Sequence, residues 1–212
     1  MATRALGEAW IDVAALILTQ GAPSRFDGLP LREVAHVMLD IADPDPNDAL
    51  IFRHGSKDWL AWMARNFTDP SPVDELGGAR SYASRLFDYA GSGRDQLAWV
   101  VERLTRDPCA SDAAVTTFEP LTDTTYVPCI SLIDFWLRDG RLEIVVYAHS
   151  IDFGKKGFAN LLQLATIQRD VARRLGAPVG PLVMIIKSAT IYETELDDMA
   201  ETVRVAQADG VI

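Results

Sequence analysis

The chain has 212 residues and a mass of 23.3 kDa, the size of one compact domain. Hydrophobic residues make up 49% of it and charged residues 24%, a composition that excludes a disordered or fibrous protein. The 30 acidic side chains outnumber the 20 basic ones and give a net charge of −10, which argues against a nucleic-acid partner because such binding needs a basic surface. We therefore expect a single domain over residues 1–212.

Apolar periodicity and turn residues divide the chain into helices and strands. Helices are predicted where apolar residues recur every three or four positions, and strands where β-branched and aromatic residues cluster. In chain order, the predicted elements are a helix at Ala5–Thr19, a strand at Leu31–Ile41, helices at Trp59–Phe67, Tyr82–Tyr89 and Arg94–Arg106, strands at Ala113–Phe118, Cys129–Leu137 and Leu142–Ser150, a helix at Gly157–Leu175, a strand at Leu182–Tyr192 and a helix at Glu195–Ala208. A cluster of Asp, Pro and Asn at 43–47 predicts a turn.

The clearest local signal is a hairpin around Asp139-Gly140, a dipeptide that favours tight two-residue turns. Both of its arms are apolar on both faces, whereas a half-exposed hairpin would alternate apolar with polar residues. Alternation predicts two sets of side chains, Ile133, Phe135 and Leu137 on one face and Ile130, Leu132 and Trp136 on the other. We therefore predict an α+β domain whose sheet is covered by helices on one face and, in a homodimer, by a second subunit on the other.

The cysteine content and the N-terminus indicate the compartment. Cys109 and Cys129 are too few for a disulfide framework in a chain of this size, which indicates a reducing environment. The first ten residues lack the charged and apolar pattern of a signal peptide, and no apolar run approaches the roughly 20 residues that span a bilayer. We expect a cytoplasmic protein that does not bind a membrane.

Several common catalytic motifs are absent from the sequence. It contains no glycine-rich phosphate loop, no Gly-x-Ser-x-Gly elbow and no paired Cys-x-x-Cys. The histidines His36, His54 and His149 are far apart, and none forms a metal-binding pair. We expect no metal site.

Cys129 is the candidate nucleophile. It follows Pro128, whose fixed φ and missing N–H suit the entrance of a strand. A thiol at a strand end beside a cleft can be ionised by nearby cations and can attack an electrophilic carbon. The alternative is that Cys129 is a small buried hydrophobe, and Cys109 at a helix end has only a structural interpretation.

A series of polar residues follows Cys129 along the chain. His149, Ser150 and Asp152 come at the end of the second hairpin arm, Asn160 lies in the first turn of the next helix, and Tyr192 ends the last strand. Each also has an ordinary structural role, as a helix cap, a satisfied amide or a core tyrosine with a polar tip. As a set behind Cys129, they favour a functional site.

These residues fall into motifs that resemble the thymidylate synthase family, most clearly from Asp107 to Asp198. Val127-Pro128-Cys129 resembles the family's Pro-Cys nucleophile, and Arg138-Asp139-Gly140-Arg141 resembles its hairpin. His149-Ser150-Ile151-Asp152, followed by Asn160, is similar to the family's Arg-Ser-x-Asp and Asn. Ser188–Glu193 resembles the Ser-Ala-His-Ile-Tyr-Glu of short archaeal-type members, and Ser81–Leu86 resembles the family's Tyr-Gly-x-x-Arg/Trp segment. Their order and spacing agree with the family. The resemblance implies a single thymidylate synthase-like domain built on a mixed sheet.

The resemblance also implies a folate-dependent one-carbon transfer. The Cys129 thiolate would add to C6 of a pyrimidine, and C5 would receive a methyl or hydroxymethyl group, with 5,10-methylenetetrahydrofolate as co-substrate. Tyr82 would assist proton removal at C5, Asn160 would bind the N3/O4 edge of the ring, and Asp152 would hold the pterin. The other implied substrate contacts are His149, Ser150, Thr190 and Tyr192, of which Tyr192 would bind the ribose. Family members are dimers joined through the sheet.

The sequence departs from the family at the 5′-phosphate. Of four arginines that bind this group in relatives, one is replaced by His149, and two that are donated across the dimer are replaced by Ser111 and Asp112, while the fourth aligns loosely with Arg25. An aspartate repels a phosphate, by roughly 3 kcal/mol at about 5 Å and an effective dielectric of about 20. We therefore expect a substrate that is not an ordinary 5′-monophosphate, unless neighbouring cations (Arg106, Lys155 or Lys156) have been recruited.

Two further positions are altered, and two alternative functions remain open. Thr190 replaces the family's histidine, and the family's helix glutamate has no clear counterpart, Asp58 being the nearest acid. One alternative is a true thymidylate synthase or pyrimidine nucleotide hydroxymethylase with a rebuilt phosphate site. The other is a catalytically silent scaffold that binds nucleotide or folate.

Overall fold

The computed structural model describes residues 1–208, and the last four residues of the expected domain lie outside that range. The helices are α1 (Leu6–Gln20), α2 (Ala49–His54), α3 (Lys57–Thr68), α4 (Tyr82–Phe87), α5 (Gln96–Arg106), α6 (Gly157–Leu175) and α7 (Leu196–Ala208). The strands are β1 (Ala2–Thr3), β2 (Ala22–Phe26), β3 (Leu29–Ile41), β4 (Ala113–Thr116), β5 (Ile130–Arg138), β6 (Arg141–Ala148), β7 (Ile151–Asp152) and β8 (Val179–Tyr192). The expected mixture of helices and strands is confirmed.

The strands form one mixed sheet in the order β1-β3-β8-β6-β5-β4, with β2 paired to β3 and β7 to β8. β3 and β8 are antiparallel, β6 and β8 are parallel, and β5 and β6 form the predicted hairpin. Asp139 and Gly140 in its turn both have positive φ, 51° and 76°, the backbone of a type I′ turn. Asp-Gly supplies this conformation with little strain, and the hairpin prediction is therefore confirmed.

Helices cover one face of the sheet. α1 packs on β3 and β8, α6 packs on β6 and β8, and α5 packs on β4. The side chains beneath them, such as Leu39, Phe135 and Ile144, are fully buried. The alternate side chains point to the opposite face, where five large apolar residues are 39–55% exposed: Met38, Leu132, Trp136, Tyr147 and Ile185. We refer to these five residues as the open sheet face.

The structure corrects the predicted orientation of Ile130. We expected it to share a face with Leu132 and Trp136, but the β5–β6 register shifts between Ile130 and Leu132, and Ile130 is fully buried. The irregularity at Ser131 reverses the side-chain alternation, as a β-bulge does. Side chains hold the Ile130 backbone in place, because its N–H donates to Tyr82 and its carbonyl accepts from Thr117.

Besides the two-residue strand β1, two elements near the N-terminus were not predicted. β2 and β3 are joined by Asp27-Gly28, whose φ values of 49° and 78° repeat the turn chemistry of the later hairpin. α2 begins after Asp48, whose Oδ1 accepts the backbone N–H groups of Leu50 and Ile51. The other Asp48 oxygen accepts the N–H of Gly7 at 2.8 Å, which ties the start of α2 to α1.

Candidate active site

A cavity of about 890 Å³ lies where β5, β6, β7 and β8 meet the loops before α4 and α6. Every site residue predicted from the sequence lines it: Tyr82, Cys129, His149, Ser150, Asp152, Asn160, Thr190 and Tyr192. They come from five separate stretches of the chain, so the fold brings them together. A volume of this size is in the range of natural ligand pockets.

Cys129 lies directly before β5, where Pro128 leads the chain into the sheet. Its carbonyl accepts the N–H of His149 at 3.0 Å, which anchors the backbone of Cys129 to the end of β6. Burial raises the pKa of the thiol, the charge of Lys156 lowers it, and the charge of Asp152 raises it. The net effect is a raised pKa, so the neutral thiol is favoured in the free site.

Tyr82 is held rigidly beside Cys129. Its ring stacks on Phe67 with centroids 4.4 Å apart, and its hydroxyl oxygen accepts the N–H of Ile130 at 3.0 Å. Burial, followed by the neighbouring Cys129, raises the pKa of Tyr82 well above its usual value, so the phenol stays neutral. Because its oxygen already accepts from the backbone, its O–H is left to donate to another group.

Asp152 and Asn160 flank the loop between β7 and α6. Oδ1 of Asp152 accepts the N–H groups of Gly154 and Lys155 at 3.0 and 3.2 Å. Burial, followed by the charge of Glu195, raises the pKa of Asp152 to about 6. Nδ2 of Asn160 donates to the carbonyl of Lys156 at 3.1 Å, which leaves one N–H and the amide oxygen for a ligand.

The other predicted residues contribute weaker polar groups. Burial and the charge of Lys187 lower the pKa of His149, so its imidazole is neutral at pH 7. The hydroxyl of Thr190 donates to the carbonyl of Ile151 at 3.3 Å, and Thr190 can therefore only accept from a ligand. Burial and the charge of Asp152 raise the pKa of Tyr192, which keeps this phenol neutral as well.

Sequence reasoning missed several lining residues, among them Asp27, Trp62, Asn66 and Tyr126. It named Lys156 only as a cation that could bind phosphate. Lys156 lies midway between Asp152 and Asn160, so the spacing within that loop could have indicated it. Trp62 and Asn66 are four residues apart on α3, and Oδ1 of Asn66 accepts the N–H of Tyr82 at 3.0 Å.

Few positive charges line the described part of the cavity. None of the arginines described in residues 1–208 lines it, and Lys156 is its one Lys or Arg side chain. Arg25 lies outside the lining and donates to the carbonyl of Gly28 at 3.1 Å. Ser111 and Asp112 also lie outside it, and Asp112 forms an ion pair with Arg103 at 2.9 Å.

The structure locates Asp58 and the side chains that could bind a metal. Asp58 is exposed at the start of α3 and does not reach the cavity, so it does not stand in for the family's glutamate. Across the described part of the chain, no three His, Cys, Asp or Glu side chains cluster closely enough to hold a metal ion. No described helix is long and apolar enough to cross a membrane.

Comparison with known proteins identifies the family. The family model described as thymidylate synthase matches residues 28–209. The chain belongs to the thymidylate synthase family. Its relatives include proteins named "Putative thymidylate synthase" from Methanosarcina barkeri, 28% identical over 95% of this chain and 93% of that protein, and from Methanosarcina mazei, 32% identical over 84% and 81%. A third, from Methanothermobacter thermautotrophicus, is 28% identical over 94% and 96%.

Membership of the thymidylate synthase family supports a transferase. The family carries out folate-dependent one-carbon transfer to C5 of a pyrimidine, with methylenetetrahydrofolate as co-substrate. The relatives named above match 84–95% of the chain and are archaeal, which confirms the archaeal-type resemblance. The family match and the mixed sheet with its helices confirm the α+β fold.

Proposed function

We propose that this thymidylate synthase family member transfers a one-carbon unit to C5 of a pyrimidine or related heterocycle, with Cys129 as nucleophile. The observation that carries the proposal is that Tyr82, Cys129, Asp152 and Asn160 line a single cavity although they come from different segments. A scaffold that only bound a partner would need none of these four groups in one place.

The residues can perform the polar steps of this reaction. The Cys129 thiolate forms a bond from Sγ to C6 of the ring, and the electron pair of the C5=C6 bond moves toward C5. Asn160 presents one N–H and its amide oxygen side by side, which complements the N3–H and O4 of a uracil ring. Tyr82 is neutral and donates its O–H, so we assign it to orienting the water that removes the proton at C5.

Asp152 and Trp62 are suited to hold the folate. Oδ1 of Asp152 is already bound by two backbone N–H groups, and its second oxygen is left to accept from the adjacent N–H groups of a pterin. The indole of Trp62 offers a flat apolar surface in the same cavity. When bound, methylenetetrahydrofolate supplies the one-carbon unit.

The charge of the cavity favours a substrate without a 5′-phosphate. Its lining contains the carboxyl groups of Asp27 and Asp152 but no arginine among the described residues, and His149 is neutral at pH 7. Phosphate binding relies largely on charge-assisted hydrogen bonds from guanidinium groups. Lys156 is the observation that favours the alternative, a nucleotide enzyme with a rebuilt phosphate site.

Calorimetric titration distinguishes these two substrate classes. Uridine, deoxyuridine and their 5′-monophosphates are titrated into the protein under identical salt conditions. We expect each nucleoside to bind at least as tightly as its monophosphate, because the lining carries more negative than positive groups. A monophosphate that binds ten-fold or more tightly than its nucleoside would establish the nucleotide enzyme instead.

Release of tritium from C5 tests the reaction itself. Pyrimidine bases, nucleosides and nucleotides labelled at C5 are incubated with methylenetetrahydrofolate and the protein, and Cys129→Ser is the matched control. We expect release from at least one acceptor that disappears in the variant. If the folded wild-type protein releases no tritium from any acceptor, or if the variant releases as much, the catalytic proposal is wrong and the binding scaffold remains.

We also propose that the open sheet face pairs with a second copy of the chain. Its five large apolar side chains lie on a face that the helices of the same chain do not cover. Apolar surface of this extent on a folded protein marks an interaction site. A dimer would bury it in the way expected from the sequence, and obligate interfaces typically exceed about 2,000 Å² in total.

A further inference from the structure

Lys156 is the one Lys or Arg side chain in the lining of the cavity, as far as residues 1–208 are described. It directly precedes α6 and lies between Asp152 and Asn160 in the sequence. Its backbone N–H donates to the carbonyl of Asp152 at 3.1 Å. Its own carbonyl accepts the backbone N–H of Asn160 at 2.9 Å and the side-chain amide of that residue at 3.1 Å. The backbone of Lys156 is therefore fixed by the residues assigned to folate and pyrimidine.

The side chain of Lys156 is held by aromatic rings. Its Nζ lies 5.4 Å from the ring centroids of both Trp59 and Trp62. These two indoles meet edge to face, with centroids 5.7 Å apart and planes at 76°. A cation over an indole face is attracted by the ring quadrupole and keeps its charge. Within residues 1–208 the ammonium of Lys156 forms no salt bridge, although its charge lowers the pKa of Asp152 and so also acts on that carboxyl group.

We propose that Lys156 is a positioning residue for the nucleophile: its ammonium, held against Trp59 and Trp62, stabilises the Cys129 thiolate in the resting enzyme. The inference rests on the proposed function only in taking Cys129 as the nucleophile. It gives a role to the one Lys or Arg side chain that lines the cavity within residues 1–208.

Of the described groups around Cys129, only Lys156 carries a positive charge that stabilises its thiolate. The phenols of Tyr82, Tyr126 and Tyr192 are neutral, and each has its pKa raised by burial first. The charge of Asp152 disfavours the thiolate, and burial of the thiol does the same. His149 is neutral at pH 7, which leaves the ammonium of Lys156 as the charge that lowers the pKa of Cys129.

The pH dependence of alkylation tests the proposal on the resting protein. Iodoacetamide is reacted with Cys129 between pH 7 and 11.5, in a Cys109→Ser background because Cys109 is exposed, and the range extends to high pH because the pKa of Cys129 is raised. Four proteins are compared, namely this background alone and the background with Lys156→Met, Lys156→Arg or Lys57→Met. Lys57 is an exposed lysine at the start of α3, and its replacement removes the same formal charge away from the cavity.

We expect the midpoint of the Cys129 titration to shift in Lys156→Met only. Lys156→Met should raise the pKa of Cys129 by about one unit, the size of effect that a nearby opposite charge produces. Thiolate at pH 7 then falls about ten-fold, but the more basic thiolate is also more nucleophilic, so the alkylation rate should fall only about three-fold. The midpoint of the pH profile is therefore the quantity to compare. Lys156→Arg should keep the midpoint near the background value, and Lys57→Met should not move it.

Each other outcome contradicts the proposal. An unchanged midpoint in folded Lys156→Met shows that Lys156 does not stabilise the thiolate, and an equal shift in Lys57→Met assigns the effect to net charge. Lys156→Gln replaces Lys156→Met if the latter does not fold, and the same criterion applies. No substrate or folate is present, so a failure here leaves the tritium test of the proposed function standing. Weaker monophosphate binding in Lys156→Met without a shifted midpoint would make Lys156 a substrate contact instead.

Discussion

Replacing Asp152 by asparagine should make the protein more stable. Asparagine has nearly the same shape, and its amide oxygen can still accept the N–H groups that Gly154 and Lys155 donate to Oδ1. The substitution removes a negative charge that is partly withdrawn from water and lies near the carboxylate of Glu195. A group that is retained although its charge opposes folding is typical of a functional site.

The magnitude follows from the pKa of Asp152. It is raised from 3.8 to about 6, which means that the folded protein prefers the neutral acid. The charged form consequently weakens folding as the pH rises from about 4 to above 6, because the unfolded chain has already lost this proton. At about 1.36 kcal/mol per pKa unit, the deficit reaches up to about 3 kcal/mol at pH 7. Asparagine carries no such deficit, and its Tm should be about 6–12 °C higher for a chain of this size.

Thermal and urea unfolding at several pH values measure the effect. The gain of Asp152→Asn over wild type should be near zero at pH 4, increase through pH 5 and 6, and become constant above about pH 7. Asp69→Asn is the matched control, because Asp69 is exposed and hydrogen bonds from Ser71 lower its pKa. Its replacement should have the opposite pH dependence and no stabilising effect. A loss of stability in Asp152→Asn at pH 7, or a gain that does not vary with pH, would refute the reasoning.

Three further predictions concern the nucleophile, its supporting loop and the assembly. Cys129→Ser should lose C5 tritium release while its circular dichroism spectrum and Tm stay close to wild type, and retained activity would contradict the mechanism. Arg85 and Asp123 form a bidentate buried ion pair at 2.7 Å, with side chains 2% and 6% exposed. Arg85→Met should therefore lower the free energy of unfolding in urea by about 3–5 kcal/mol, and unchanged stability would contradict this. The wild type should be a dimer by light scattering and Trp136→Glu should dissociate it, whereas a monomeric wild type at micromolar concentration would be incompatible with pairing through the open sheet face.

The sequence predicted the long elements well because their signals are local. The bounds of α6 agree with the prediction at both ends, since its apolar spacing is continuous and Gly176 ends it in the left-handed conformation. The β5–β6 hairpin was predicted from its Asp-Gly turn, and its arms shifted by no more than two residues. A bulge is not visible in an apolar run, which explains why the face of Ile130 was wrong.

The elements that were missed carry little periodic signal of their own. β2 has hardly any buried side chains and exists through its pairing with β3, so it carries no alternating pattern to detect. α2 has six residues, too few for a periodic signal, and it depends on Asp48. That carboxylate also bonds the N–H of Gly7, a contact 41 residues away along the chain.

The site residues likewise divide into those with a local sequence signal and those without one. Those that belong to a motif, such as Cys129, Asp152 and Asn160, were predicted because the motif carries its own spacing. Trp62 carries no motif, and it reaches the cavity only because α3 packs against α6. Lys156 lay between two motif residues and was considered only as a possible phosphate ligand, because its aromatic contacts come from α3.

The polar groups of the cavity share a common arrangement, in which each uses one hydrogen-bonding function to hold the backbone and leaves another for a ligand. The Tyr82 oxygen accepts from Ile130 and its O–H is left over. Oδ1 of Asp152 accepts two backbone N–H groups and its second oxygen is left over, while Asn160 keeps one N–H and its oxygen. Because these bonds fix the side chains before a ligand arrives, binding need not order them, and their orientation is set in advance. The same bonds make the site sensitive to small shifts of the β7–α6 loop, since Asp152 and Asn160 are both anchored to it.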